Sequence, residues 1–326
     1  MKLLLFKIIF YVSLAFFVLA LWQSNYLVVP LIYSTTALVV SLAFLVAGFL
    51  GTALNWQKIL VQSGHMIGYG DCLAGMGLSV FAKYIPGKVW VIMGRAAYLS
   101  ERRSVPLSTL SSLSLNAQLL TLWTGLVLGG LGLLFVGATP ALGVAAILLW
   151  FVLTALVFTR VAQDVAQGLL KRLLTRQVRI PSLSFWEACK VTPWFIGTWS
   201  LWSIGFFFLA ESLVPGHLPW TVGLAFPFAA TLGIMALVFP GGLGVREGLL
   251  GAYLAFAGLS TQEAATIAVT SRLWFLVGEI FMFACAVITH RRIRPQEANM
   301  DGHIIIEKAA HRTKQITTPG QRGSDS

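Results

Sequence analysis

The sequence predicts an all-α integral membrane protein with about eight transmembrane helices and a re-entrant, Pro/Gly-broken pair of half-helices. Three observations carry that expectation. The 326 residues are 57% hydrophobic and only 11% charged, with a mean hydropathy of +0.81, where soluble domains carry about 25% charged residues. Nearly every apolar run is long enough to cross a hydrocarbon core of about 30 Å. The basic residues behind the net charge of +11 stand at the ends of those runs, where the positive-inside rule puts them. That placement explains the basicity without a nucleic-acid partner. Cys72, Cys189 and Cys285 lie far apart and make no CxxC or metal spacing. They read as small apolar side chains, and no cofactor or metal is expected.

The elements follow in order. Lys2 and Lys7 accompany helix one, about Leu4 to Trp22. Its end, Leu21-Trp22-Gln23, is too bulky for a signal-peptide cleavage site, so an uncleaved helix with a cytoplasmic N-terminus is expected. Helix two runs from about Leu31 to Leu54, and Asn55-Trp56-Gln57-Lys58 then returns the chain to the cytoplasm, with Trp56 at the interface. Asp71 to Leu99 is the least regular membrane segment. Its halves are short, and Lys83-Tyr84-Ile85-Pro86-Gly87-Lys88-Val89-Trp90 interrupts them; Glu101-Arg102-Arg103 marks cytoplasm again. This reads as two half-helices broken at Pro86-Gly87. The alternative is one kinked span that leaves Arg102 and Arg103 outside.

Helix three covers about Leu107 to Val136, Gly137-Ala138-Thr139-Pro140 makes a tight turn, and helix four ends at Arg160. From Arg160 to Lys190, apolar residues such as Val161, Val165, Leu169 and Leu173 recur at helical spacing beside Lys171, Arg172, Arg176 and Arg179. That pattern is an interfacial amphipathic helix. It joins two halves, about 1–160 and 191–290, of one polytopic membrane domain over 1–290. Helix five is about Val191 to Leu213, and Val214-Pro215-Gly216-His217 is an outside turn. Helix six runs from Trp220 to Phe239, and Gly244 to Gly258 returns outward. Ser260 to Glu263 caps the last helix, Ala264 to Thr289, which His290-Arg291-Arg292 stops. The polar tail, 291–326, is expected to be mostly disordered. The four outside turns contain no Lys or Arg, which places both termini in the cytoplasm.

The stretch Phe239-Pro240-Gly241-Gly242-Leu243-Gly244-Val245-Arg246-Glu247-Gly248 stands out between two apolar runs. Irregular backbone at membrane depth is tolerated only where it is buried in protein or lines a polar cavity, and intramembrane charge marks function by default. A loop at the headgroup level is the bland alternative. Gly241, Gly242 and Gly244 leave backbone N–H groups at the start of the following half-helix, a place that favours an anion. Arg246 adds a guanidinium suited to phosphate, and Glu247, its neighbour in sequence, need not pair with it. Pro86-Gly87 stands in a similar context, and Ala97-Tyr98-Leu99 echoes Ala252-Tyr253-Leu254. The two broken segments start from opposite sides, as an inverted repeat requires, and such paired interruptions point to a transporter's midplane site. Lys83, Lys88, Arg95, Arg246 and Arg272 outnumber Asp71, Glu247 and Glu279 in these segments. An anionic ligand would balance the excess; snorkelling of Lys83, Lys88 and Arg95 to the headgroups is the alternative for those three. Arg272 and Glu279 share a helix face and could simply pair with each other. The candidate binding set is therefore Lys83, Pro86, Gly87, Lys88, Arg95, Gly241, Gly242, Gly244, Arg246, Glu247, Arg272 and Glu279.

At these motifs the chain resembles the lysylphosphatidylglycerol synthase transmembrane-region family. The stronger match is Pro240-Gly241-Gly242-Leu243-Gly244-Val245-Arg246-Glu247, continued by Gly258-Leu259-Ser260, Ala264-Ala265 and Arg272-Leu273. The weaker is Lys83-Tyr84-Ile85-Pro86-Gly87-Lys88-Val89-Trp90, where Lys88-Val89-Trp90 departs from the lysyl-lipid branch and looks like stand-alone members associated with surface polysaccharide assembly. A soluble aminoacyl-transferase domain is not expected, so lysine transfer is not carried over. The resemblance implies translocation of a membrane lipid or lipid-linked glycan in a bacterial cytoplasmic membrane. The partner would be an anionic phospholipid or a polyprenyl-phosphate-linked sugar. No phosphate-loop motif for ATP is present. Two other classes stay open. A non-transporting membrane partner of a polysaccharide or lipid biosynthesis enzyme would share the fold. A membrane glycosyltransferase would need paired carboxylates or a DxD-like cluster, which the scattered Asp71, Glu211 and Glu263 do not supply.

Overall fold

The computed structural model describes residues 31–84, 89–137, 140–159, 185–236 and 244–316, and the regular elements among them are all helical. Helix one, most of the amphipathic segment Arg160 to Lys190, Pro86-Gly87-Lys88 and Gly241-Gly242 lie outside the described residues.

Two long helices form the scaffold, α1 (Thr35–Gln62) and, later in the chain, α6 (Phe185–Leu213). The Ser34 hydroxyl caps α1 by accepting the Ala37 N–H at 3.2 Å. The two helices run antiparallel. At the Ser34 end, the Tyr33 N–H donates to the Ser212 carbonyl at 2.8 Å, and the Ser41 hydroxyl donates to the Gly205 carbonyl at 2.6 Å. Toward the Gln62 end, Asn55 bonds the Thr198 hydroxyl at 3.0 Å. These contacts satisfy polar groups that lipid would leave bare. Because α1 continues to Gln62, Trp56 does not sit at the interface as expected. It is fully buried, with the Arg95 guanidinium 4.9 Å from its ring centroid.

Between α1 and the next long helix the chain makes a hairpin. It consists of α2 (Tyr69–Leu78), a 3-10 turn (Val80–Tyr84) and α3 (Val89–Arg103). Asp71 at its start meets the arginines at its end: the Arg103 Nε–H donates to Asp71 at 3.0 Å, and Arg102 lies 3.6 Å away. Higher up, a Cβ added to Gly75 would lie 3.1 Å from the Tyr98 ring, and one added to Gly94 would lie 2.9 Å from the Ser79 Cβ. These pairings are symmetric in sequence about positions 86–87. The segment leaves the Gln62 end and comes back to it, so it is re-entrant, and the single kinked span is excluded.

Next, α4 (Leu107–Phe135) crosses to the Ser34 end and α5 (Pro140–Phe158) returns beside it, joined by the Trp123 indole N–H donating to the Thr154 hydroxyl at 2.9 Å. After α6 comes a second hairpin: a 3-10 turn (Trp220–Leu224), α7 (Ala225–Met235) and α8 (Val245–Phe256). A Cβ on Gly233 would lie 3.1 Å from that of Arg246, and the Phe228 and Tyr253 rings are 5.8 Å apart. These pairs are symmetric about position 240. The segments expected as a full crossing, Trp220 to Phe239, and as an outward return, Gly244 to Gly258, are thus the arms of a second re-entrant hairpin. Helices of 11 and 12 residues reach about 16 and 18 Å, and the 3-10 turn Trp220–Leu224 adds about 10 Å to the first arm, still short of a core of about 30 Å.

The last helix, α9 (Thr261–Ile316), is capped as expected. The Ser260 N–H donates to Glu263 at 2.8 Å, and the Glu263 N–H donates to the Ser260 hydroxyl at 3.3 Å. Helix continues past Arg291-Arg292, which do not stop it, to Ile316. Its apolar part, Thr261–Ile293, is with α1, α4 and α6 one of four helices long and apolar enough to cross a membrane among the described residues. Gly70 faces Thr289 and Ile293, and Gly77 faces Met282 and Ala286, so α9 runs from the Ser34 end to the Gln62 end. The order α1, hairpin, α4 therefore recurs upside down as α6, hairpin, α9.

Candidate functional site

The two hairpins enter from opposite ends, and Lys83 of the first and Gly244 to Glu247 of the second reach the middle of the apolar part of α9, Thr261–Ile293. In the first, the 3-10 turn carries Lys83 to that level. In the second, Gly244 adopts φ 79°, a left-handed conformation that glycine takes without strain, and α8 starts at the next residue. Arg246 and Glu247 thus occupy the first turn of α8. On α9, Ser271, Phe275 and Glu279 recur at four-residue spacing with Arg272 beside them, so one face presents a cation, an aromatic ring and a carboxylate in order.

Each hairpin is bound to this face by an ion pair. Lys83 pairs with Glu279, which is 1% exposed. Arg272 donates from Nη1 to Glu247 Oε1 at 2.8 Å. The other oxygen of Glu247 accepts the Gly244 N–H at 2.8 Å. The sequence left open a pair between Arg272 and Glu279; instead each takes its partner from a different hairpin. The expectation that Gly244 offers a bare N–H to a ligand is corrected too, because the chain's own Glu247 occupies it. That choice is local: a carboxylate three residues into a helix reaches back to the first N–H, where the helix dipole favours it.

Arg246 does not pair with its sequence neighbour Glu247. It is 8% exposed, with Nη2 donating to the Ser271 carbonyl at 3.5 Å and its guanidinium 4.9 Å from the Phe226 ring centroid and 5.2 Å from that of Phe275. Lys83 lies 4.9 Å from the same Phe275 ring. Phe275 and Phe226 were missed by the sequence reading, although the three-and-four spacing of Arg272, Phe275 and Glu279 was there to find. Beneath them, Trp202 contacts Phe226 and Phe275 with ring centroids 6.2 and 5.3 Å apart, and Phe226 meets Trp274 edge-on at 5.4 Å. This rigid aromatic bed fixes the cations above it.

Five of the candidate residues are therefore brought together along one stretch of α9: Lys83 and Arg246 over the Phe275 ring, and Glu247, Arg272 and Glu279 through the two ion pairs. Among the described residues, the group holds three cations and two carboxylates. Arg95 is not part of the group. It is buried and donates to the Ser114 hydroxyl and carbonyl on α4 and to the Met76 sulfur at 3.1 Å. Neither the cluster nor snorkelling describes it; it fastens the first hairpin to α4. Pro86, Gly87, Lys88, Gly241 and Gly242 lie outside the described residues. Among the described residues no group of His, Cys, Asp and Glu is arranged to hold a metal ion.

The family model described as the lysylphosphatidylglycerol synthase TM region matches residues 3–278. No curated protein and no solved structure matches the chain.

Proposed function

From the membership of this chain in the lysylphosphatidylglycerol synthase TM region family, to which it belongs, we propose that it translocates an anionic lipid or a lipid-linked glycan across the membrane. Membership makes it a multi-pass membrane protein with a membrane-lipid-related function. The step to translocation is supported above all by one observation: Lys83 of the first hairpin and Arg246 and Glu247 of the second, which enter from opposite ends, come together halfway along the apolar part of α9, Thr261–Ile293. Inverted repeats with broken helices at the midplane are a recurrent transporter architecture. Buried arginine and a half-buried lysine beside an aromatic bed suit a phosphate or phosphodiester head group.

The orientation belongs to the same reading. Lys58, Arg102, Arg103, Arg291 and Arg292 stand at the Gln62 end, whereas the described turns at the Ser34 end, Val136-Gly137, Val214 to Pro219 and Ala257 to Ser260, carry no Lys or Arg. By the positive-inside rule the Gln62 end faces the cytoplasm, and both termini lie there.

The test is transport in liposomes. Purified protein is reconstituted with fluorescently labelled phosphatidylglycerol or a labelled polyprenyl-phosphate sugar, and transfer between leaflets is followed by quenching. Wild-type protein should move one of the two, and Arg246→Ala should slow it at least tenfold while still inserting. No movement of either lipid by wild-type protein, or an unchanged rate in Arg246→Ala, would overturn the reading and favour a non-transporting partner of a biosynthetic enzyme.

A further inference from the structure

We propose that the cleft at the Ser34 end, between the start of α1 and the turn after α6, holds the primary ammonium of an ethanolamine-type lipid head group. The inference depends neither on the charged group along α9 nor on translocation. The cleft has a volume of about 270 Å³, with Tyr33 and Ser34 on one side and Glu211 and the turn Val214 to His217 on the other. Its walls are tied together. The Tyr33 N–H donates to the Ser212 carbonyl at 2.8 Å, the Ser34 hydroxyl caps α1, and Gly216 turns the chain with φ 108°, in the left-handed region that favours glycine. Pockets for drug-sized ligands measure about 300–1,000 Å³. This one therefore takes a single small group rather than a whole lipid or an oligosaccharide.

Glu211 decides the charge of that group. It is half-buried in the last turn of α6, a turn without Lys or Arg. At a helix C-terminus the dipole disfavours an anion and favours a cation. Among the described residues no ion pair or hydrogen bond holds the Glu211 carboxylate. The other carboxylate described at this end, Glu263, is occupied by the Ser260 N–H and hydroxyl at 2.8 and 2.7 Å. A half-buried carboxylate without a partner is costly, and a cation in the cleft would remove that cost. A sugar would meet the same hydrogen-bond acceptors but leave the charge of Glu211 unbalanced.

The rest of the lining selects among cations. The Ser34 oxygen accepts the Ala37 N–H and keeps a second lone pair, and a neutral imidazole at His217 carries one acceptor nitrogen. With the two oxygens of Glu211, these acceptors suit a group with several N–H donors. A primary ammonium brings three; a trimethylammonium brings none. The Tyr33 ring, 55% exposed, offers the cation an aromatic face. Depth identifies the carrier. Both α1 and α6 are long and apolar enough to cross a membrane, and Tyr33 and Glu211 stand where these spans end, at the level of the head groups. A lipid in that leaflet would lay its ammonium in the cleft and leave its tails in the bilayer.

The experiment is titration calorimetry of the purified full chain in detergent with three probes: dihexanoyl-phosphatidylethanolamine, dihexanoyl-phosphatidylcholine and O-phosphoethanolamine. The ethanolamine lipid should bind saturably. The choline lipid, whose head group lacks N–H donors, should bind about tenfold more weakly or worse. Glu211→Gln keeps the shape of the side chain and removes its charge, and should lower affinity for the ethanolamine lipid roughly tenfold. Equal affinity for the two lipids, an unchanged affinity in Glu211→Gln, or no saturable binding would each overturn the ammonium site. O-Phosphoethanolamine carries the head group without the tails, and affinity equal to that of the ethanolamine lipid would overturn the lipid as occupant. The comparison of the two lipids on wild-type protein decides the matter even if the variant does not fold. No transport is measured, so this proposal and translocation fail separately.

Discussion

Arg272 and Glu247 are joined at 2.8 Å across 25 residues of sequence, while Arg246, next to Glu247 in the chain, leans onto the rings of Phe226 and Phe275. The second hairpin is thus tied to α9 by a carboxylate that also closes the start of its own helix. Glu247→Gln should keep a weakened bond to the Gly244 N–H but leave the buried Arg272 without that charge. A loss of about 3–5 kcal/mol in unfolding free energy is expected. Removing both partners, Glu247→Gln with Arg272→Met, should cost less than the sum of the single changes. Denaturant unfolding in detergent micelles measures all three, and strictly additive losses would show that the pair contributes no coupling.

Arg246→Lys should not be conservative. An ammonium cannot lay a planar face on two rings and also reach the Ser271 carbonyl. Loss of a cation–π contact worth about 1–2 kcal/mol corresponds to a fall in transport of roughly five- to thirtyfold. The readout is the labelled-lipid assay; a wild-type rate in Arg246→Lys would mean that any positive charge suffices at this position.

The two hairpins predict a labelling pattern in which each flanking pair of positions faces a single side of the membrane. Cysteines placed at Met66 and Ser104, which flank the first hairpin, should react with an impermeant reagent from one side of the membrane. Cysteines at His217 and Gln262, which flank the second, should react from the other side. Opposite-side labelling within either pair would show that the segment spans.

Helix α4 approaches the second hairpin so closely that Gly129 has no room for a side chain: an added Cβ would lie 2.6 Å from that of Phe228 and closer still to its backbone. A backbone neighbour cannot swing aside as a side-chain tip can. Gly129→Ala should therefore destabilise the protein by about 1–3 kcal/mol, read as a lower melting temperature in detergent. An unchanged value would mean that α4 and α7 slide apart freely.

Much of this was legible in the sequence because it is local. Pro86-Gly87 and Pro240-Gly241 mark the two centres of symmetry, and Ser260 with Glu263 announces a capping box that the structure contains. The second hairpin was read as a crossing because Trp220 to Phe239 is an unbroken apolar run, and composition is alike for a lipid-facing span and a buried arm. Partner choice was hidden for another reason. Whether Glu279 takes Arg272 or Lys83 depends on how a segment 196 residues away folds back, and helix periodicity carries no information about that. Trp56 and Arg95 misled similarly: each resembles an interfacial residue, yet they stack on each other inside the protein.

The separation between Lys83 and Glu279 also sets a timetable for biogenesis. A ribosome adds about 5–20 residues per second, so the 196 residues that separate the pair take roughly 10–40 seconds to make. During that interval the first hairpin must reside at the insertion machinery without the carboxylate that later holds its tip. Its base can close early, since Asp71 and Arg103 are 32 residues apart, whereas the Lys83–Glu279 pair forms only when α9 arrives. Chains cut short before α9 should therefore be the ones that quality-control proteases remove first, with the hairpin around Lys83 as the exposed signal.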